Sequence, residues 1–526
     1  MTQAPHTVTS RIARSTGVLV MATALSRILG FVLSVVMARL FGTRTEAQAF
    51  VVAFRLPNLF RDLVAEGAMA SAVVPVLSRY RSRGDDQDFW QLSQTVFTHL
   101  VLLLVLLGAA GVVAAPLIVH LVAPGFAVDS EKYALTVQLT RVLFPFLTLV
   151  GLWAYFMGLL NTLHHFALPA LGPAIQNVAM LAACAWGVPQ MSPGILALAI
   201  GVLVGGLIQA VLPIPEAVRR GFRWRWRWTH PGSWEIARLL GPRLVGSAVY
   251  QANVLIDTTL ASFSTVVGEG AVAAIFFANR FVQLPLALFG TAAAQASLPS
   301  LAEHAEDRQV FSGILLSVLR MVGFIILPSA VGLAVLAYPI VHGLIEGGAF
   351  DASATRMTSQ ALTFYALGLW AFATNKVLTG AFYALRDTKT PVWLAAETVA
   401  VNLLLCLWLM RPLQVGGLAL AAALSNTANA FRLLRRMERR LERPLMQPLA
   451  GPWLRMTVAA LLMGAGCWLL WTLSGWERHP WIGLPLVIAA GAAVYAVVCR
   501  CLNVEELRVV WRWLRTLPGI QLFAGE

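Results

Sequence analysis

The chain has 526 residues, 58% of them hydrophobic and only 12% charged, with a mean hydropathy of +0.73. Soluble domains carry roughly 25% charged residues, so a surface made for water is excluded, as are collagen, disorder, a coiled coil and a disulfide scaffold. What remains is an all-α polytopic membrane protein, and the net charge of +14 calls first for an explanation in membrane topology.

A spanning helix needs about 20 mostly apolar residues, and about fourteen such segments are predicted. They are 16–41, 47–78, 92–122, 133–160, 167–187, 194–215, 237–263, 270–297, 311–342, 357–384, 391–410, 416–434, 453–474 and 481–502. At the start, Arg11 and Arg14 precede an apolar run and Ala22-Thr23-Ala24 imitates a cleavage site. The apolar sequence nevertheless resumes on both sides of Arg27 up to Phe41, which predicts a retained span rather than a signal peptide. Pro57, Pro145, Pro285 and Pro328 fall inside spans. Such breaks persist in a bundle where neighbours re-satisfy the freed backbone groups, as in a transporter.

An even number of spans puts both termini on one side. That side then carries Arg11 and Arg14, the Arg79–Arg83 cluster, Arg219 through Arg227, Arg308, Arg386 and Lys389, the Arg435–Arg443 cluster, and Arg508, Arg512 and Arg515. The other side has Arg44, Lys132, Arg356, Arg411 and Arg478. A bias of about four to one places both termini in the cytoplasm, and it explains the charge without nucleic acid. Arg223-Trp-Arg-Trp-Arg-Trp228 reads as an interfacial segment, with indoles at headgroup level and arginines towards anionic lipid.

No cysteine pair has the spacing of a metal site or disulfide framework, and no His-x-x-x-His pattern is present. No cofactor or metal is expected. Asp85, Asp86 and Asp88 form the sole acidic cluster that could serve a metal-dependent transferase, and they follow Arg79, Arg81 and Arg83 as a solvated loop.

The chain repeats itself. Ala70-Ser-Ala-Val-Val-Pro-Val-Leu77 resembles Ala294-Gln-Ala-Ser-Leu-Pro-Ser-Leu301, and Gly151-Leu-Trp-Ala154 recurs as Gly368-Leu-Trp-Ala371. These matches link spans 2 and 8, and spans 4 and 10. An offset of six helices keeps the orientation, which predicts a parallel repeat of two six-helix lobes about an axis along the membrane normal, with alternating access between them. The expected division is a lobe at 1–228, a lobe at 229–444, and two extra spans with an amphipathic cytoplasmic tail at 445–526.

Ionisable residues inside a bilayer are costly and normally face a cavity or a partner. The candidates are Arg27 and Arg39 in span 1, Arg55, Arg61, Asp62 and Glu66 in span 2, Asp257 in span 7, Arg280 in span 8 and Lys376 in span 10. Arg39 and Arg55 lie near helix ends and can snorkel. Arg27 shares a helical face with Thr23, Gly30 and Ser34, and Arg280 has Gln283 one turn on. Arginines projecting from both lobes imply an anionic substrate, most simply a phosphorylated one.

Ser26-Arg-Ile-Leu-Gly-Phe31, Ala38-Arg-Leu-Phe-Gly42, Ala53-Phe-Arg-Leu-Pro-Asn58, Arg61 through Ala65-Glu-Gly67, Ala123-Pro-Gly-Phe126, Asn279-Arg280 and Asp387-Thr-Lys-Thr-Pro391 resemble the MurJ/MviN family of lipid II flippases. The resemblance implies a MATE-like exporter of fourteen helices in the bacterial inner membrane, serving peptidoglycan biosynthesis, cell wall biogenesis and cell shape. It implies a transporter, not an enzyme, whose substrate is the undecaprenyl-diphosphate-linked peptidoglycan precursor. It further implies a monomer, with cell-wall synthesis machinery as a candidate partner, and a groove for the lipid tail in the helices beyond the repeat. Carried over by motif, Arg27, Arg61 and Arg280 are substrate-binding cavity arginines, with Ser26, Asn58 and Glu66 as polar neighbours. Leu33 and Gln48 stand where many members have an arginine and an aspartate. A cation site of some relatives would draw on Asp257 and Asn402, but Cys406 stands where an acid is expected. The competing readings are a flippase for another polyprenyl-linked glycan and a cation-coupled drug exporter of the same superfamily, whose mostly cationic substrates an arginine-rich cavity would repel.

Overall fold

The computed structural model describes residues 25–61, 73–163, 165, 167–476 and 479–515. All the regular structure there is helical, apart from one isolated bridge between Gly347 and Phe350. Nine helical segments among the described residues are long and apolar enough to cross a membrane.

The chain forms two compact units, Met1–Ser264 and Thr265–Glu526. The first begins with α1 (residues 25–41) and continues with α2 (Thr45–Arg61), α3 (Val74–Ser82), α4 (Asp86–Val113), α5 (Ala115–Val122), α6 (Ser130–Leu143) and α7 (Phe146–Thr162). Helices α8 (Ala167–Ala182), α9 (Ile195–Val211), α10 (Ile214–Arg219) and α11 (Pro231–Ala261) complete it. After the short α12 (Ser264–Val267) the second unit runs through α13 (Ala271–Pro285), α14 (Ala292–Glu303), α15 (Arg308–Val335), α16 (Ala337–Leu344), α17 (Ala352–Leu367) and α18 (Leu369–Ala384). It ends with α19 (Lys389–Leu413), α20 (Val415–Leu441), α21 (Met446–Ser474), α22 (Pro480–Cys501) and α23 (Glu505–Arg515).

The two units repeat one pattern of elements. A 28-residue helix, α4 or α15, is followed by an eight-residue helix, α5 or α16. A helix of 14 or 16 residues comes next, α6 or α17. Each long helix opens on an aspartate cap, Asp85 accepting from the Asp88 amide and Asp307 from those of Gln309 and Val310. The caps Asp129 and Asp351 open α6 and α17 in the same way. Both pairs of caps are 222 residues apart, and Ile118-Val119-His120 recurs as Ile340-Val341-His342 at that separation. An N-cap carboxylate satisfies amides that have no partner within the helix. The acidic cluster at Asp85 is thus a helix start, not simply a solvated loop.

Helix α11 is pinned to the first unit at both ends. At its start the His230 ring lies against Tyr80, its Nε2 is 2.8 Å from Asp88 Oδ1, and Glu235 pairs with Arg79. At its end the Gly125 amide donates to Ser262 Oγ at 3.0 Å. A Cβ on Gly125 would sit 2.2 Å from the Ser262 carbonyl oxygen, so glycine is needed there for close approach. The compact units therefore part after α11.

Proline leaves the carbonyl four residues earlier without its helical donor, and inside a bilayer another donor must be found. Pro328 lies inside α15 and frees the Phe324 carbonyl, to which Tyr495 of α22 donates its hydroxyl at 2.9 Å. Pro452 lies inside α21 and frees the Pro448 carbonyl, to which Arg320 of α15 donates at 3.0 Å. After Pro285 the chain winds wider, as a π turn over Leu286–Thr291. Tyr495→Phe would keep the packing against Phe324 but leave that carbonyl bare. The expected cost is about 1–3 kcal/mol, read as a lowered midpoint in thermal unfolding of the purified protein; an unchanged midpoint would contradict the bracing role.

Candidate functional site

Helix α1 carries the first candidate residues. Its packed side is formed by Leu33, Ser34, Met37, Ala38 and Phe41, all under 9% exposed, and its open side by Leu25, Ile28, Val32 and Leu40. At 100° per residue Arg27 falls within about 20° of Ser34 and of Ala38, inside the packed arc. Arg27 is nonetheless exposed. The inward arc of α1 is thus closed at Ser34 and open, among the described residues, two turns earlier at Arg27. Arg39 falls on the outward arc with Ile28 and Val32, is half-buried and has an interaction of its own. The Ser26 carbonyl accepts from Asn177 Nδ2 of α8 at 3.0 Å, and Ser34 donates its hydroxyl to the Gly30 carbonyl. The bond from Asn177 ties α1 to α8 and so constrains its rotation and the direction of Arg27, whereas the Ser34 bond closes within α1 itself.

In α13, Phe276, Asn279, Arg280, Gln283 and Leu284 are half-buried while Ala271–Ile275, Phe277, Ala278, Phe281 and Val282 are buried. The spacing of the half-buried set is that of one helical face. An asparagine, an arginine and a glutamine on it are not what a lipid-facing stripe carries. The Arg280 guanidinium lies 4.7 Å from the Phe276 ring centroid, a cation–π contact that holds it over its own helix, and it has a further interaction.

Asn58 is half-buried on α2, on the same side as Phe54 and Arg55. Arg55 does not snorkel: its Nε donates to Thr258 Oγ1 of α11 at 3.2 Å, and Thr258 is buried. The side chain of Arg61, and the whole of Asp62 and Glu66, lie outside the described residues. Both departures from the family pattern sit in packed positions, Leu33 at 7% and Gln48 at 1% exposure. A carboxylate at Gln48 would need a partner for its charge in that interior, and the amide avoids this cost.

The candidate cation ligands fall in different units. Asp257 is half-buried on α11, beside the Thr258 that Arg55 reaches, and has an interaction of its own. Asn402 of α19 is 1% exposed, and its Oδ1 accepts from Ser425 of α20 at 3.3 Å. Cys406, one turn on, is fully buried. Among the described residues no three His, Cys, Asp or Glu side chains are grouped to hold a metal ion.

Among the arginines within predicted spans that the sequence reading did not single out, Arg320 and Arg432 make defined contacts to neighbouring helices. Arg320 joins α15 to α21 and lies 3.7 Å from Glu505 of α23. Arg432 of α20 donates to Glu397 at 2.7 Å and to Thr398 at 2.8 Å, both on α19. The signal that finds them is the one used for the others: a basic residue within an apolar span.

A family model described as the lipid II flippase MurJ matches residues 37–483. The chain belongs to the MurJ family of lipid II flippases. A probable lipid II flippase MurJ of Rhizobium meliloti is 35% identical over 508 residues, covering 93% of this chain and 94% of the relative. One from Haemophilus influenzae is 33% identical over 463 residues, covering 85% and 90%. The lipid II flippase MurJ of Burkholderia cenocepacia is 34% identical over 394 residues, covering 72% and 75%. Among solved structures, a lipid II flippase MurJ in an inward closed conformation aligns with a TM-score of 0.79 at 26% identity, over 92% of this chain and 99% of that one. An inward-facing multidrug transporter of the MATE family aligns at 0.66 with 13% identity, over 81% of this chain and 98% of that one, a likeness of fold alone. Membership of the MurJ family makes this chain a multi-pass inner-membrane transporter and not an enzyme.

Proposed function

We propose that the protein moves lipid II from the cytoplasmic to the periplasmic leaflet, holding its diphosphate in an arginine-lined central cavity. Arg27, Arg61 and Arg280 bind the diphosphate, with Ser26, Asn58 and Glu66 ordering the site around them. The observation that carries this reading is Arg27, exposed although its place on α1 is on the inward arc. A diphosphate cannot enter a low-dielectric barrier bare, because burying an unpaired anion costs far more than transport can supply. Fixed guanidiniums replace its water, and their planar forks suit phosphate oxygens. Alternating exposure of this cavity to the two sides carries the headgroup across while the prenyl tail stays in lipid.

The same reading takes fourteen spans, six in each lobe and two beyond, with both termini in the cytoplasm; the repeat in the sequence divides the lobes near residues 228 and 444, although α11 packs with the first compact unit. The test is depletion of the protein in its own host with lipid II located by leaflet. Accumulation in the cytoplasmic leaflet is expected. Unchanged lipid II with accumulation of another prenyl-linked glycan would assign the cavity to that substrate instead.

A further inference from the structure

The segment Phe222–Thr229, between α10 and α11, has no regular hydrogen-bonded structure and is strapped to α4. Gln94 donates its amide to the Arg223 carbonyl at 2.7 Å, and the His99 ring nitrogen lies 3.0 Å from the Trp228 carbonyl. The rings of alternate residues stack on one another, so the indoles of the alternating sequence share one side of the strap. Trp224, Trp226 and Trp228 form a ladder, with ring centroids 5.0 and 6.2 Å apart. Trp224 also meets the ring of Phe97 on α4 edge-on at 5.5 Å. Each of the three indoles is more than half exposed. Arg223 and Arg225 are exposed and Arg227 is half-buried. The acids nearby are engaged elsewhere, Glu216 with Arg220, Asp88 with His230 and Glu235 with Arg79.

The depth of the strap follows from α4. Its 28 residues span about 42 Å at 1.5 Å each, against a hydrocarbon core of about 30 Å. About 12 Å, or two turns, must lie outside. Asp86, Asp88, Gln91 and Gln94 are at one end and Val113, 81% exposed, is at the other, so the excess belongs at the start. Gln94 then sits at the edge of the hydrocarbon, and the strap with it.

We infer that this strap is a binding site for the phosphodiester headgroups of anionic phospholipids in the leaflet that meets the start of α4. The indole ladder sits among the headgroups and upper acyl chains, as tryptophans do at membrane interfaces, and the guanidiniums take the phosphates. Polybasic attraction to an anionic leaflet is electrostatic and weakens with salt. The site is separate from the proposed transport cavity, so either can fail without the other.

The test uses the full chain in vesicles of phosphatidylcholine and phosphatidylglycerol at 7:3, with bromine on the acyl chains of one lipid or the other. The strap signal is wild-type tryptophan emission minus that of the W224L/W226L/W228L variant. At equal mole fraction, brominated phosphatidylglycerol is expected to quench it at least twofold more than brominated phosphatidylcholine. The preference is expected to fall to about one in R223Q/R225Q/R227Q and to shrink in wild type at 0.5 M NaCl. Should the triple variant fail to insert, R225Q is expected to give an intermediate ratio. Equal quenching by the two lipids in wild type, or a preference that survives the arginine changes, overturns the inference. So does tighter, arginine-dependent quenching of the strap signal by a single-stranded oligothymidine at matched phosphate, which would make the alternation a nucleic-acid surface.

Discussion

Replacing Arg27 with alanine is expected to abolish complementation and to slow transfer of lipid II in reconstituted vesicles by at least tenfold, with the amount of protein in the membrane unchanged. Charge-assisted hydrogen bonds contribute about 1.5–3 kcal/mol each, and a bidentate grip on a diphosphate makes two of them. Arg27 is exposed on the inward arc of α1, and the nearest acid along the sequence is Glu46, beyond the end of its helix. Its removal therefore takes away no carboxylate pairing within that helix, and loss of an intramembrane charge favours insertion. Arg27→Lys is expected to recover part of the activity, because lysine keeps the charge but not the planar fork. Full transfer by Arg27→Ala would remove the residue from the mechanism. Its absence from the membrane would give it a structural role instead.

Gly125→Ala is expected to lower both stability and transport. The added Cβ would sit 2.2 Å from the Ser262 carbonyl oxygen and 2.4 Å from its carbon. Those are backbone atoms, so no side chain can swing aside. Either α11 moves off the turn between α5 and α6 or that turn deforms, and the hydrogen bond from the Gly125 amide to Ser262 Oγ goes with it. Overpacking of this kind costs about 1–3 kcal/mol, measurable as a lowered thermal midpoint in detergent. Ser262→Ala in the wild-type background removes the hydroxyl without the clash and is expected to cost about 1 kcal/mol. Equal midpoints for Gly125→Ala and wild type would show that the contact is not close in solution.

Much of the fold is legible in the sequence because lipid imposes a single rule on the chain, that a crossing segment must be apolar and helical. The starts of α4, α6, α15 and α17 are legible too, as aspartates ahead of each helix, once the cluster at Asp85 is recognised as one of them. The repeat announces itself in short matches, and it becomes plain when lengths are set beside caps and the recurring Ile-Val-His. What the sequence does not carry is partnership across space. Arg55 meets Thr258 over 203 residues, and Arg320 meets the Pro448 carbonyl over 128. No local pattern distinguishes an arginine that braces a neighbour from one that faces an opening. Arg27 and Arg320 look alike as letters within apolar runs. The rotation of α1 against α8, set by Asn177 and the Ser26 carbonyl, is what separates them.

The brace between Phe324 and Tyr495 has a consequence in time. The two residues are 171 positions apart, so at about 5–20 residues per second the acceptor is synthesised roughly 10–30 s before its donor. Through that interval the Phe324 carbonyl freed by Pro328 has no hydroxyl to satisfy it, and a bilayer offers none. The nascent α15 must wait beside water or the insertion machinery until α22 arrives. A ribosome that stalls between these points leaves a chain with an open carbonyl at membrane depth, the kind of half-built bundle that membrane proteases can recognise. Synthesis of α22 thus completes the hydrogen bonding of a helix made much earlier.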